Sequence, residues 1–205
     1  MKIIAEHEAK NLIARYGIEV PRFKVVDREE ELYNIDLNYP LVLKVSSPHI
    51  LHKTDVGGMI LNITNKEMLI SSFHSMKERF PEEKFIVEEM ERGGVELIAG
   101  VIDDRAFGKC IMVGMGGIFT EIYKDVSFRM IPITPKDANE MLEELKAGKI
   151  FSGYRMNLKK DDIINILIRM ARMAEEMNIK QMDLNPVIVS EKGAKAVDAK
   201  IIMEE

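Results

Sequence analysis

"KFIVEEMERGGVELIAGVIDDRAFGKCIMVG", residues 84–114, contains three β-rich runs: 84–90, 95–102 and 108–114. Short polar joins separate them, which reads as a meander of antiparallel strands. The first join, "EEMERGG" (88–94), follows an apolar strand and ends in two glycines, so it is the best hinge candidate in the chain. Toward the N-terminus lie further strands at "RFKVV" (22–26), "LVLKV" (41–45) and "GMILNIT" (58–64), with an acidic helical turn around Arg28–Tyr33. Ala5, Ala9, Leu12, Ile13 and Tyr16 recur at helical spacing before a Gly17 stop. Thr64 and Glu67 form a capping box ahead of a helix whose face is Leu69, Phe73 and Met76.

Toward the C-terminus, Thr134-Pro135 starts a helix through Leu145, with Gly148 as its stop. Asp161 is placed to cap the longest helix, whose apolar face is Ile163, Ile166, Leu167, Met170, Ala171, Ala174 and Met177. "NPVIV" and "AKAVDAK" close the chain as strands. Strands cluster with helices interspersed, without strict alternation, so the fold class is α+β with largely antiparallel sheets.

Bulk properties narrow the function. The 205 residues are 46% hydrophobic and 31% charged, which suits one domain or two small joined ones. The net charge of −5 and the lack of a basic stripe argue against nucleic acid as a partner. Cys110 is the only cysteine, so no disulfide framework or cysteine metal cluster is available. The opening "MKIIAEHEAK" has acids where a signal peptide needs an apolar run, and no stretch approaches a membrane span. The cytoplasm is the expected compartment.

Five constellations bear chemistry. Lys44 lies in the apolar strand "LVLKVSS", where it faces solvent or holds a phosphate. Asp183 and Asn185 are two apart on a strand and so share a face. Asp198 lies in a strand able to pair with theirs, and oxygen ligands of this kind suit Mg²⁺. Glu88, Glu89 and Glu96 form either a solvated patch or a nucleotide-binding hinge. "VGMGGIFTEI" (113–122) is glycine-rich without the ending of a P-loop, hence an anion-holding nest or a plain turn. "SPHILHKTDVGGMIL" (47–61) carries His49 and His52. A neutral imidazole can accept a phosphoryl group, and Lys53 with the Gly57 and Gly58 amides could supply positive charge. A surface turn explains the same residues.

In this order, "EHEAKNLIARYGIEVP", "YPLVLKVSSPHILHKTDVGG", "VEEMERGGVELIAGVIDDRAFGKCIMVGMGGIFTEIYKDVSFRMIPI" and "QMDLNPVIV…AVDAK" resemble the ATP-grasp β subunits of ADP-forming acetyl-CoA synthetases (acetate–CoA ligases). These are related to the succinyl-CoA synthetase β subunit. The resemblance implies two α+β ATP-grasp subdomains gripping ATP, here residues 1–87 and 88–205. It implies ATP or ADP with Mg²⁺ as cofactors. Its reaction makes ATP, acid and CoA from acyl-CoA, ADP and phosphate through a phosphohistidine. The CoA and acyl sites would lie on a separate α subunit, in an α2β2 assembly. Carried over, Lys44 contacts phosphates, Glu88 to Met90 meet the adenine, Glu96 contacts the nucleotide, and Asn185 and Asp198 hold Mg²⁺. His52 matches the "HK[ST]D" histidine that takes phosphate from the α subunit. Asp183 stands where succinyl-CoA relatives have a glutamate. His49 is a local structural residue.

Overall fold

The computed structural model describes residues 1–50, 53–117, 124–153 and 156–204. The chain divides into two compact units, residues 5–8 with 21–92, and residues 1–4 with 9–20 and 93–205. It passes between them at Ile4–Ala5, Glu8–Ala9, Val20–Pro21 and Arg92–Gly93. Among the described residues no helix is long and apolar enough to cross a membrane.

The smaller unit is built on a four-stranded antiparallel sheet. Its strands are β2 (Phe23–Val26), β3 (Leu41–Ser46), β4 (Met59–Ile63) and β5 (Lys84–Glu89), in the order β2-β5-β3-β4. Helix α2 (Lys66–Arg79) covers one face. Leu69, Phe73 and Met76 on that helix meet Leu41, Leu43, Val45, Phe85 and Val87 on the sheet. The Phe73 and Phe85 rings pack edge to face at 5.5 Å. A 3₁₀ turn, Glu29–Leu32, buries Leu32 in the same core.

Strand alternation explains the second face. If Leu41, Leu43 and Val45 point to the helix, then Val42, Lys44 and Ser46 point away from it. Every residue of β3 is nevertheless buried. The first turn of α1 (Glu6–Arg15) belongs to this unit, and His7 bonds Ser46 Oγ through its amide at 3.2 Å and its Nδ1 at 2.8 Å.

The larger unit is built on a seven-stranded antiparallel sheet. Its strands are β1 (Lys2–Ile4), β6 (Val95–Asp104), β7 (Gly108–Met115), β8 (Val126–Met130), β9 (Ile179–Ser190), β10 (Gly193–Ala196) and β11 (Ala199–Met203). The order is β1-β11-β9-β6-β7-β8, with β10 also on β9. Helices α3 (Pro135–Glu144) and α4 (Lys160–Glu176) share one core with Leu97, Ala99, Val101, Ile111 and Val113. The rest of α1 supplies Ala9 and Ile13 to that core.

Several expectations change in detail. β6 and β7 form a hairpin, but β5 lies between β2 and β3 in the other sheet, so 84–114 is not one meander. The cap of α2 is Asn65, one residue after Thr64, and its side chain accepts from Met68 N at 2.8 Å. Asp161 lies inside the first turn of α4, where its charge favours the helix N-terminus, while Lys159 is the cap position. Gly148 opens a 3₁₀ turn (Gly148–Ser152) and does not end α3, which stops at Glu144. Thr134 caps α3 as expected, with Asp137 reciprocating.

Candidate functional site

In the smaller unit the chemistry gathers around Lys44. Its side chain is 2% exposed in mid-strand, where an uncompensated ammonium would be costly. Glu88 Oε1 lies 2.5 Å from Lys44 Nζ, and Glu6 Oε1 lies 3.3 Å away. Register accounts for the first pair, since Val42 pairs with Glu88 and Lys44 with Ile86, which makes Lys44 and Glu88 diagonal neighbours. The first turn of α1 delivers the second. Glu6 Oε2 then reaches Lys53 Nζ at 2.6 Å. Among the described residues, these contacts join two carboxylates and two ammonium groups in one buried cluster.

His7 flanks the cluster. Burial pushes its imidazole below the usual range, against the charges of Glu8 and Glu6. The exposed His49 donates its amide N–H to Ser47 Oγ at 3.1 Å, a local turn contact. His52 lies outside the described residues.

The loop after Lys53 is held by its own backbone. Gly57 N donates to Thr54 O at 3.1 Å and Gly58 N to Lys53 O at 2.6 Å. Arg79 from α2 fastens it by donating to Gly57 O at 3.1 Å and to Val56 O at 2.6 Å. Gly57 has φ +62, and a Cβ on Gly58 would meet Val45 Cγ1 at 2.7 Å. Both glycines are thus required by the turn, and their amides are engaged in closing it rather than aimed at a ligand.

The hinge stretch is similarly tied down. Glu89 N donates to Arg22 O at 3.0 Å and Met90 N to Pro40 O at 2.9 Å. Glu89 Oε1 accepts from Arg22 Nη1 at 3.1 Å and from Asn38 N and Nδ2 at 2.9 and 2.8 Å. Glu88 spends its carboxylate on Lys44.

In the larger unit the remaining residues share the sheet face turned away from its core. Glu96, Ile98, Gly100 and Ile102 alternate with buried Leu97, Ala99 and Val101 on β6. Asp183 and Asn185 alternate with buried Met182 and Leu184 on β9. Asp183 pairs with Gly100 on one side and Lys200 on the other. From Gly193 to Ile202, β10 and β11 keep one register along β9, with a gap in the pairing at Val197-Asp198, opposite Asn185-Pro186. Val197 N donates to Pro186 O at 2.9 Å across that gap. Asp198 therefore comes opposite Asn185, as the sequence spacing anticipated.

Burial raises the Asp183 carboxyl above its usual range, the charge of Asp198 adds to this, and Lys200 opposes it. Two carboxylates that repel one another beside an amide oxygen form a donor set that a divalent cation would relieve. Among the described residues no group of three or more His, Cys, Asp or Glu side chains is assembled for a metal. A sparse set fits Mg²⁺, which keeps most of its waters and takes one or two protein ligands alongside phosphate oxygens.

Glu96 is exposed, and its carbonyl accepts from Gly116 N at 2.7 Å. A Cβ on Gly116 would lie 2.8 Å from the Glu96 carbonyl carbon and oxygen. The start of the glycine-rich stretch is thus laid against Glu96, and its continuation, residues 118–123, lies outside the described residues.

Two residues were missed from sequence. Glu6 stands in an acidic N-terminal run that reads as ordinary helix surface. Lys200 follows Asp198 by two and shares its face, a spacing that pointed to it.

Residues 1–203 match the model of the ATP-grasp domain family. The β subunit of ADP-forming acetate–CoA ligase I from Pyrococcus furiosus is 40% identical over 212 residues, covering 98% of this chain and 91% of that protein. ADP-forming acetate–CoA ligase II from Archaeoglobus fulgidus is 37% identical over 207 residues, where this chain spans only 31% of the longer protein. Acetyl-coenzyme A synthetase 1 from Ca. Korarchaeum cryptofilum, solved with coenzyme A and Ca-AMPCP, superposes with a TM-score of 0.92 at 39% identity, over 99% of this chain and 94% of that one. A second structure of that enzyme, with coenzyme A and Mg-AMPPCP, has a phosphohistidine segment pointing towards the nucleotide binding site and gives a TM-score of 0.86.

Proposed function

We propose that this chain, which belongs to the ATP-grasp family and within it to the β subunits of the ADP-forming acetate–CoA ligases, is the nucleotide-binding half of an ADP-forming acyl-CoA synthetase. It works in the cytoplasm with an α subunit that carries the CoA and acyl sites, in an α2β2 complex. The overall conversion is acyl-CoA, ADP and phosphate to acid, CoA and ATP. The observation that carries the reading is Lys44, a lysine buried inside a sheet against the carboxylates of Glu88 and Glu6. Such a cation on a rigid strand is suited to a polyphosphate and has no structural use that an apolar residue would not serve better.

In this reading His52 Nε2 or Nδ1 takes the phosphoryl group from a phosphohistidine of the α subunit, whose P–N bond breaks, and passes it to the terminal oxygen of ADP. The P–N bond to His52 breaks as the new P–O bond forms. Lys44 and Lys53 offset charge on the equatorial oxygens, which is where phosphoryl transfer needs the protein most. The Glu88–Met90 hinge and Glu96 hold the nucleotide, and Asp183 is the carboxylate that stands in for the glutamate of the succinyl-CoA relatives. Gly57 and Gly58 shape the turn after Lys53. Asn185 and Asp198 would hold Mg²⁺, which when bound neutralises phosphate charge.

The test is co-expression with an α subunit and labelling with radioactive phosphate in the presence of acetyl-CoA. Acid-labile label is expected on this chain and is expected to vanish in His52→Ala together with ATP formation. A His52→Ala complex that makes ATP at the wild-type rate would overturn the relay.

A further inference from the structure

We infer that Glu6 is a positioning residue that ties the strand lysine Lys44 to the loop lysine Lys53, and so fixes the cation next to His52 in the chain. This rests on the nucleotide and relay reading above. Glu6 divides its carboxylate between the two partners, with Oε1 3.3 Å from Lys44 Nζ and Oε2 2.6 Å from Lys53 Nζ. Its side chain is 2% exposed, whereas that of Lys53 is 12% exposed. Lys53 is thus the member of the cluster with a route to solvent and to an incoming phosphoryl group. Lys44 is held by strand geometry and by Glu88, so it has a place without Glu6. Lys53 sits on a turn, and a four-carbon stem has many rotamers. A buried carboxylate on the rigid first turn of α1 removes that freedom.

The charges explain why a carboxylate is used. Glu6 sets one negative charge between two ammonium groups, and Glu88 sets a second beside Lys44. Gln at position 6 would retain one acceptor oxygen but remove a negative charge from between the two lysines and loosen the hold on Lys53. Anion binding would not weaken, because no cation is lost. Transfer would slow, because an ammonium displaced by an ångström no longer meets the moving phosphoryl group. The signature is a loss in rate without a loss in nucleotide affinity.

The experiment is a double-mutant cycle in the co-expressed complex, using Glu6→Gln, Lys53→Met and both together. Single-turnover phosphoryl transfer to ADP gives the rate, and calorimetry gives the dissociation constant of ADP–Mg²⁺. Glu6→Gln is expected to slow transfer by about 10- to 100-fold with the dissociation constant unchanged or lower. The double variant is expected to be no slower than Lys53→Met alone, since Glu6 acts through Lys53. Rate losses that multiply, or a Glu6→Gln complex at the wild-type rate, would overturn the inference. If Glu6→Gln does not fold, as judged by circular dichroism, the cycle is run with Glu6→Asp, whose shorter arm cannot span both lysines, and the same two outcomes decide. A wild-type complex that binds no ADP–Mg²⁺ would instead sink the nucleotide reading and leave the Glu6–Lys53 coupling to be read from the stability of the same four proteins: additive stabilities overturn it, and coupled ones uphold it as a structural tie.

Discussion

Lys44 Nζ and Glu88 Oε1 lie 2.5 Å apart, from neighbouring strands, with each side chain 2% exposed or less. A pair this deep contributes little net stability when intact, because desolvation offsets attraction. Its loss is a different matter. Glu88→Gln leaves Lys44 one carboxylate short inside the sheet and is expected to destabilise the protein by about 3 kcal/mol. Replacing both, as Lys44→Met with Glu88→Leu, is expected to cost less than Glu88→Gln alone. Urea unfolding of the three proteins measures this. Equal stability of Glu88→Gln and wild type would show that the pair is not a desolvated one.

Asp198 is opposite Asn185 and its charge acts on Asp183. Asp198→Asn removes one of two mutually repelling carboxylates, so the protein alone is expected to be as stable as wild type or slightly more so. Its response to ligand is expected to differ. ADP–Mg²⁺ raises the melting temperature of any native state that binds it, by an amount set by concentration over dissociation constant. That rise is expected in wild type and is expected to be lost in Asp198→Asn. A full rise in the variant would remove Asp198 from the metal site.

What the sequence made legible follows from the range of the interactions. Local periodicity located the strands around 41–45, 95–102 and 108–114 and the helices around Leu69 and Met170, because each is specified by residues a few positions apart. That Asp198 comes near Asp183 was also legible, since a short hairpin connects β9 to β10, although the expected strand 194–200 is broken at Val197-Asp198. Sheet membership was not. β5 reads as the first strand of a meander with β6, yet it pairs with β2 and β3, and nothing within 84–94 encodes that choice. β1 was invisible because three residues pair with Ile201–Met203 at the other end of the chain. Glu6 was missed for the same reason, as its partners Lys44 and Lys53 are 38 and 47 positions away. The resemblance to a known family assigned roles where spacing did not, since spacing alone left each lysine and carboxylate open to a surface role.

Gly116 bears on Glu96 through the backbone. A methyl group there would sit 2.8 Å from the Glu96 carbonyl, closer than real Cβ atoms approach. The Gly116 N to Glu96 O bond must then stretch or break. Gly116→Ala is expected to lower the melting temperature by about 5 °C and to weaken ADP binding by moving Glu96. Gly100→Ala is the control, since its methyl would meet nothing nearer than 3.4 Å. If both variants bind ADP like wild type, Glu96 is not a nucleotide contact.

Glu144 provides a pH test away from the site. It accepts from Ser127 Oγ at 2.5 Å and pairs with Arg129, and these contacts, the Arg129 bond foremost, hold its carboxyl at about 2 against an ordinary 4.5. A folded-state value below the unfolded one means that the ionised form favours folding. The contribution is complete above the unfolded value and is lost as pH falls from about 4.5 to about 2. The side chain is 48% exposed, so solvent screening reduces the effect to about 1 kcal/mol. Comparing wild type with Glu144→Gln by urea unfolding is expected to show that gap at pH 7, a smaller gap at pH 3.5 and none near pH 2. The gap should also shrink in 1 M salt, where the screening length is about 3 Å. A difference that stays constant across this range would mean that packing, and not the carboxylate's charge, is what Glu144 provides.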